Sequence, residues 1–139
     1  KEMTDVDVFN IKNHTPALQD YDIVIFGGAY YAGTLVGKLK KFIKKNIEVL
    51  KQKKYAFFIS CVSNDNYIDV LKNNVGEELV EGAIDVKWFG YGASVEKSRG
   101  LNKLVSKIMI AALKKENKPI TLINEDDMKA FAKKIEEIK

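Results

Sequence analysis

Residues 27–33, Gly-Gly-Ala-Tyr-Tyr-Ala-Gly, are the part of this 139-residue chain whose types and spacing best suit chemistry. Glycines let backbone approach a ligand closely, and Tyr30 and Tyr31 offer flat faces to a flat ring. The plain alternative is a tight turn between a strand and a helix, with the tyrosines covering the sheet edge. Glycine-rich turns are common, and the residues alone do not separate the two. Other chemistries lack their residues. One histidine, His14, and one cysteine, Cys61, cannot form a zinc site. Neither a Ser/His/Asp arrangement nor a Gly-x-x-x-x-Gly-Lys phosphate loop is readable. His14 sits in a connection and reads as solvated. Between Gly33 and Lys54 there are eight lysines against the single Glu48. Without interleaved aromatics these read as a solvated helix face rather than a nucleic-acid surface.

The elements that must position the 27–33 stretch follow from periodicity. Ile23–Phe26 is a β-branched apolar run of the kind buried in parallel sheets. Before it, Val6–Ile11 alternates as a short strand, and Pro16 suits a turn or a helix start. After it, apolar residues at 35, 36, 39, 42, 43, 47 and 50 predict a helix over Thr34–Leu50, N-capped by Thr34. Lys54–Ser60 is a second buried strand. It ends in the turn formers 61–67, where Asp65 or Asn66 can cap a helix carrying Tyr67, Leu71, Val75 and Leu79. Gly76 weakens that helix and Gly82 ends it. Ile84–Tyr91 is a third strand, with Trp88 and Phe89 near its carboxyl end. Glu96–Leu113 carries an apolar stripe at helical spacing that includes Leu104 and Ile108, ringed by lysines. It reads as a helix packed on the sheet or as a face for a membrane, partner or apolar substrate. Ile120–Ile123 is extended. Residues 124–127 cap a closing helix with Met128, Phe131, Ala132, Ile135 and Ile138 inward.

This alternation predicts one α/β domain over residues 1–139, with a parallel sheet and helices on both faces. Right-handed crossovers bring the loops after residues 26, 60 and 89 to one edge, where ligands of open α/β sheets bind. The net charge of +4 is modest. No apolar run approaches the roughly 20 residues that span a bilayer. The lone Cys61 allows no internal disulfide and suits a reducing, cytoplasmic setting.

The order of these elements resembles the flavodoxin-like family, a three-layer sandwich with strand order 2-1-3-4-5. Residues 21–33 resemble its third strand and flavin-ring loop, and residues 54–67 its fourth strand and second flavin loop. Gly90, the apolar stretch 101–113 and the segment 120–127 resemble the flavodoxin-domain group that includes menaquinone-dependent protoporphyrinogen dehydrogenase. That stretch would be an amphipathic helical insert after the last strand. The family's first strand, phosphate loop and first helix have no counterpart in Lys1–Asp5, so residues preceding Lys1 are expected in the natural protein.

The resemblance implies FMN as cofactor. It would be held by Gly28, Ala29, Tyr30, Tyr31, Ala32 and Gly33 on one side of the ring, and by Cys61, Val62, Ser63, Asn64 and Tyr67 on the other. It implies an oxidoreductase of protoporphyrinogen or a related substrate with a quinone acceptor. The alternatives are an electron carrier working with a redox partner protein, or a flavin-free interaction domain. The arginines of the porphyrinogen-oxidising relatives are reduced here to Arg99. Through 101–113 the chain would meet the inner face of a membrane or a second copy of itself.

Overall fold

A computed structural model describes residues 6–31, 34–61, 65–90 and 125–138. A short 3-10 turn, Leu18–Asp20, leads into β1 (Ile23–Tyr31), β2 (Thr34–Leu35), α1 (Gly37–Lys45) and the single turn α2 (Ile47–Leu50). Then come β3 (Lys54–Ser60), α3 (Tyr67–Val75), α4 (Glu77–Glu81), β4 (Val86–Trp88) and α5 (Glu125–Ile138). The sheet order is β2-β1-β3-β4. β1 runs parallel to β3 from Ile23↔Lys54 to Ala29↔Ser60, and β3 parallel to β4 from Phe57↔Val86 to Ile59↔Trp88. These three parallel strands sit side by side as the third, fourth and fifth strands of a flavodoxin-like sheet do, so the expected fold class holds.

Period-2 alternation sorts the side chains onto two faces. Val24, Phe26, Tyr55, Phe57 and Ile59 pack under Leu39, Ile43, Leu50, Leu71, Val75 and Leu79 of α1 to α4. Ile23, Ile25, Ala56, Phe58 and Phe89 meet Phe131 and Ile135 of α5. The inward stripes expected of the helices are therefore the ones buried. One exception is Met128, which is 39 % exposed. Phe131, three residues later, is the α5 side chain that reaches the rings of Phe58 and Phe89.

Several expectations come out differently. β1 runs on past Phe26 to Tyr31, through residues expected to form the loop after residue 26. Of the strand expected over Ile84–Tyr91, only Val86–Trp88 is described as strand. Val6–Ile11 is not a strand. At its end the Asn10 carbonyl accepts the amides of Asn13 and His14 and its side chain accepts that of Lys12, which closes a local turn over Asn10–His14. Val8 stays 85 % exposed. Thr34 caps no helix, because Thr34 and Leu35 pair antiparallel with Tyr31 and Tyr30, and α1 starts only at Gly37. The buried Leu35 amide, turned out of β1's ladder, is taken up by Asn74 Oδ1 at 3.1 Å. Asn66 precedes α3 in a left-handed conformation (φ 56°) with no side-chain cap. Gly76 (φ 102°) divides the expected helix into α3 and α4. The stretches 96–113, 120–123 and the cap at Asn124 lie outside the described residues. Among the described residues, no helix is long and apolar enough to cross a membrane.

Candidate functional site

The carboxyl ends of β1, β3 and β4 lie together on one edge, as the crossover argument requires. Around them side chains tie the loop backbones to one another. Ser60 Oγ donates to the Gly90 carbonyl at 2.9 Å, and the Cys61 amide donates to the same oxygen at 3.1 Å. Trp88 Nε1 donates to the Cys61 carbonyl at 2.9 Å. Tyr30 Oη donates to the Tyr67 carbonyl at 2.9 Å, and Tyr67 Oη to the Val86 carbonyl at 3.3 Å. Burial, then the neighbouring Cys61 and Tyr67, push the Tyr30 phenol well above its usual range. Burial, then Asp85, also raise the Tyr67 phenol. Both hydroxyls are therefore neutral donors at ordinary pH.

The residues singled out from sequence distribute as follows. Gly28 and Ala29 lie inside β1, paired with Ile59 and Ser60. A Cβ on Gly28 would come within 2.7 Å of Leu35 and 2.8 Å of Leu39. Its missing side chain thus makes room for the returning β2 and α1. Gly27 pairs with Phe58, whose ring lies where a Gly27 Cβ would be. An aromatic laid across a strand glycine is a known way of covering it. The glycine signal is thereby explained by packing on both faces of β1. Tyr30 is half-buried with its hydroxyl committed to Tyr67, and Tyr31 continues the strand into the β2 pairing. Cys61 is buried at the end of β3, and Tyr67 opens α3. Ala32, Gly33, Val62, Ser63 and Asn64 lie outside the described residues.

Two polar side chains at this edge were not anticipated, Ser60 and Trp88. Trp88 did carry a signal. A lone tryptophan at the end of a buried strand brings an N–H that needs an acceptor. Two clefts among the described residues open at the other end of the strands. One is lined by Gln19, Glu48 and Lys53, the other by Lys51, Tyr55, Gly76 and Glu78. Neither reaches the loop ends.

A family model described as the flavodoxin domain matches residues 1–122. The chain belongs to that family. No curated protein and no solved structure matches it significantly. The parallel β1-β3-β4 core of this flavodoxin domain and the gathering of its carboxyl ends on one edge are the features that a shared fold predicts.

Proposed function

We propose that this flavodoxin domain binds FMN along the carboxyl edge of its sheet and serves as an oxidoreductase. The observation that carries the reading is the gathering of the loop ends after β1, β3 and β4, cross-tied by Tyr30, Ser60 and Trp88. When bound, the flavin supplies the electron chemistry, and the protein supplies orientation and tuning. The residue set suits the ring end of such a ligand. The Cys61 amide is already spent on Gly90, so ring donors on that side would come from Val62, Ser63 and Asn64. The residues from Tyr30 to Gly33, at the end of β1 and after it, would line the opposite side, while Gly28 and Ala29 are paired inside the sheet. Tyr30 and Tyr67, held neutral, add no negative charge beside a reduced ring. No described helix opens on a Ser/Thr-Gly-rich loop of the type that holds a flavin phosphate, so the reading concerns the ring end.

The finer form of the reading, a porphyrinogen substrate with a quinone acceptor, rests on the resemblance of residues 101–113 and 120–127. The rival is an electron carrier, which would use the same edge without a substrate of its own. Purified protein should show flavin absorption bands or acquire them on titration with FMN. Colourless protein that takes up no FMN would end the reading. With flavin bound, turnover of a porphyrinogen or quinone marks the enzyme. Fast electron exchange with a reductase and no turnover marks the carrier.

A further inference from the structure

We propose that the lysine face of α1 is a docking surface for a soluble protein partner that presents an acidic face. α1 (Gly37–Lys45) carries Lys38, Lys40, Lys41, Lys44 and Lys45 and no acidic residue. Lys38, Lys41, Lys44 and Lys45 are exposed and Lys40 is half-buried, while Leu39 and Ile43 hold the helix to the core. Among the described residues the ion pairs are made by other lysines, Lys51, Lys72 and Lys134. Glu48, the acid nearest to α1 along the chain, is met by Lys51 at 3.3 Å. Lys38 Nζ donates to the Lys12 carbonyl at 3.1 Å, which brings the turn bearing exposed Lys12 to the same face. This arrangement works against the helix itself. Lys38 and Lys40 put positive charge in the first turn, where the helix dipole favours acids. Lys40 and Lys44, like Lys41 and Lys45, are equal charges one turn apart, which repel. Local conflicts of this kind concentrate at functional sites. Charge complementarity selects the partner, because a basic face steers acidic surfaces onto itself and speeds encounter. A lipid surface fits less well. Helices that lie in a membrane interface bury an apolar face there. The apolar face of α1 is spent on the core, and the large apolar residues exposed among the described ones, Val8, Phe9, Ile68 and Met128, lie on other segments. Position gives the face its use. α1 starts two residues after Leu35 pairs with Tyr30 at the carboxyl end of β1. A protein seated on α1 therefore lies beside the edge proposed for the flavin. Only that use rests on the flavin reading, and the basic face does not.

The probe is a strongly acidic plant-type ferredoxin, with association read by surface plasmon resonance at about 20 mM and about 300 mM salt, where screening lengths differ severalfold. Wild type should associate, and its rate should fall about tenfold or more between the two salts. Lys40→Glu/Lys41→Glu should slow association at low salt about tenfold. The same variant turns both repelling pairs into attractive ones, so its Tm should rise by about 1–3 °C. Lys129→Glu/Lys133→Glu, at exposed positions of α5 on the opposite face of the sheet, changes the net charge equally and should slow association less than about twofold. No association of wild type at low salt would overturn the proposal. Equal slowing in the α5 variant would reduce the effect to net charge and overturn it too. So would a lower Tm in Lys40→Glu/Lys41→Glu, which would assign the lysines to stability. Binding to phosphatidylglycerol vesicles that the α1 variant loses, without ferredoxin association, would assign the face to a membrane instead. The rates are read on protein as purified and again after titration with FMN. Failure to take up FMN ends the flavin reading alone, and the docking face is still judged by the ferredoxin rates.

Discussion

Replacing Gly27 by alanine asks whether the glycine pair serves packing. A Cβ there would sit 1.9 Å from Phe58 Cζ and 2.5 Å from both Cε atoms. Carbon contacts settle near about 3.5–4 Å, so the ring would have to retreat by roughly 1.5–2 Å. Moving it disturbs its stack on Phe89 at 5.3 Å and its edge contact with Phe131 at 6.4 Å. Overpacking of this kind costs about 1–3 kcal/mol. Against it, alanine in a strand recovers roughly 0.5–1 kcal/mol relative to glycine. The net expectation is a loss of about 1–2 kcal/mol, or a fall of roughly 3–8 °C in Tm for a domain of this size. Urea unfolding of Gly27→Ala, Phe58→Leu and the double variant supplies the test. The double variant should lose less than the two singles together, with a coupling of about 1 kcal/mol or more. A Gly27→Ala protein as stable as wild type, or strictly additive singles, would refute the packing account and reopen a ligand-facing role for Gly27.

Asn74→Ala removes the acceptor of the buried Leu35 amide and the 2.7 Å bond to the Val70 carbonyl, and should destabilise by about 1–3 kcal/mol in denaturant melts. Wild-type stability would mean the β2 turn does not depend on Asn74. The raised Tyr30 phenol has its own pH signature. Between the ordinary 10.0 and its higher folded value the native state holds a proton the unfolded state releases. Its contribution is therefore complete below pH 10 and lost as pH climbs toward the folded value. Melting temperatures from pH 9 to 11.5 should fall more steeply in wild type than in Tyr30→Phe, and parallel slopes would contradict the burial of that hydroxyl.

Local pattern was enough for the elements whose signal lies within their own residues. Lys54–Ser60 has the expected bounds, and the inward stripes of α1, α3 and α5 centre on Leu39 and Ile43, Leu71 and Val75, and Phe131 and Ile135. Apolar period marks which face must leave water, and that is a property of the segment alone. A strand's existence is not, because it needs an edge to pair with. Val6–Ile11 alternates yet joins no sheet among the described residues, while Thr34–Leu35, read as helix, is captured by Tyr30–Tyr31. The two residues between those strands, Ala-Gly, are not a strong hairpin pair, so the return was hidden. The glycines show the same division. Their presence after a buried run is visible in the sequence, but Phe58 and Leu35, which fill the space above them, come into place only through the register of β1 with β3 and the fold of β2. The edge itself was foreseeable from crossover handedness. What joins its loops was not, since Tyr30 finds its acceptor 37 residues away and Trp88 finds its own 27 residues away, and only the packed sheet brings such donors within reach of those carbonyls.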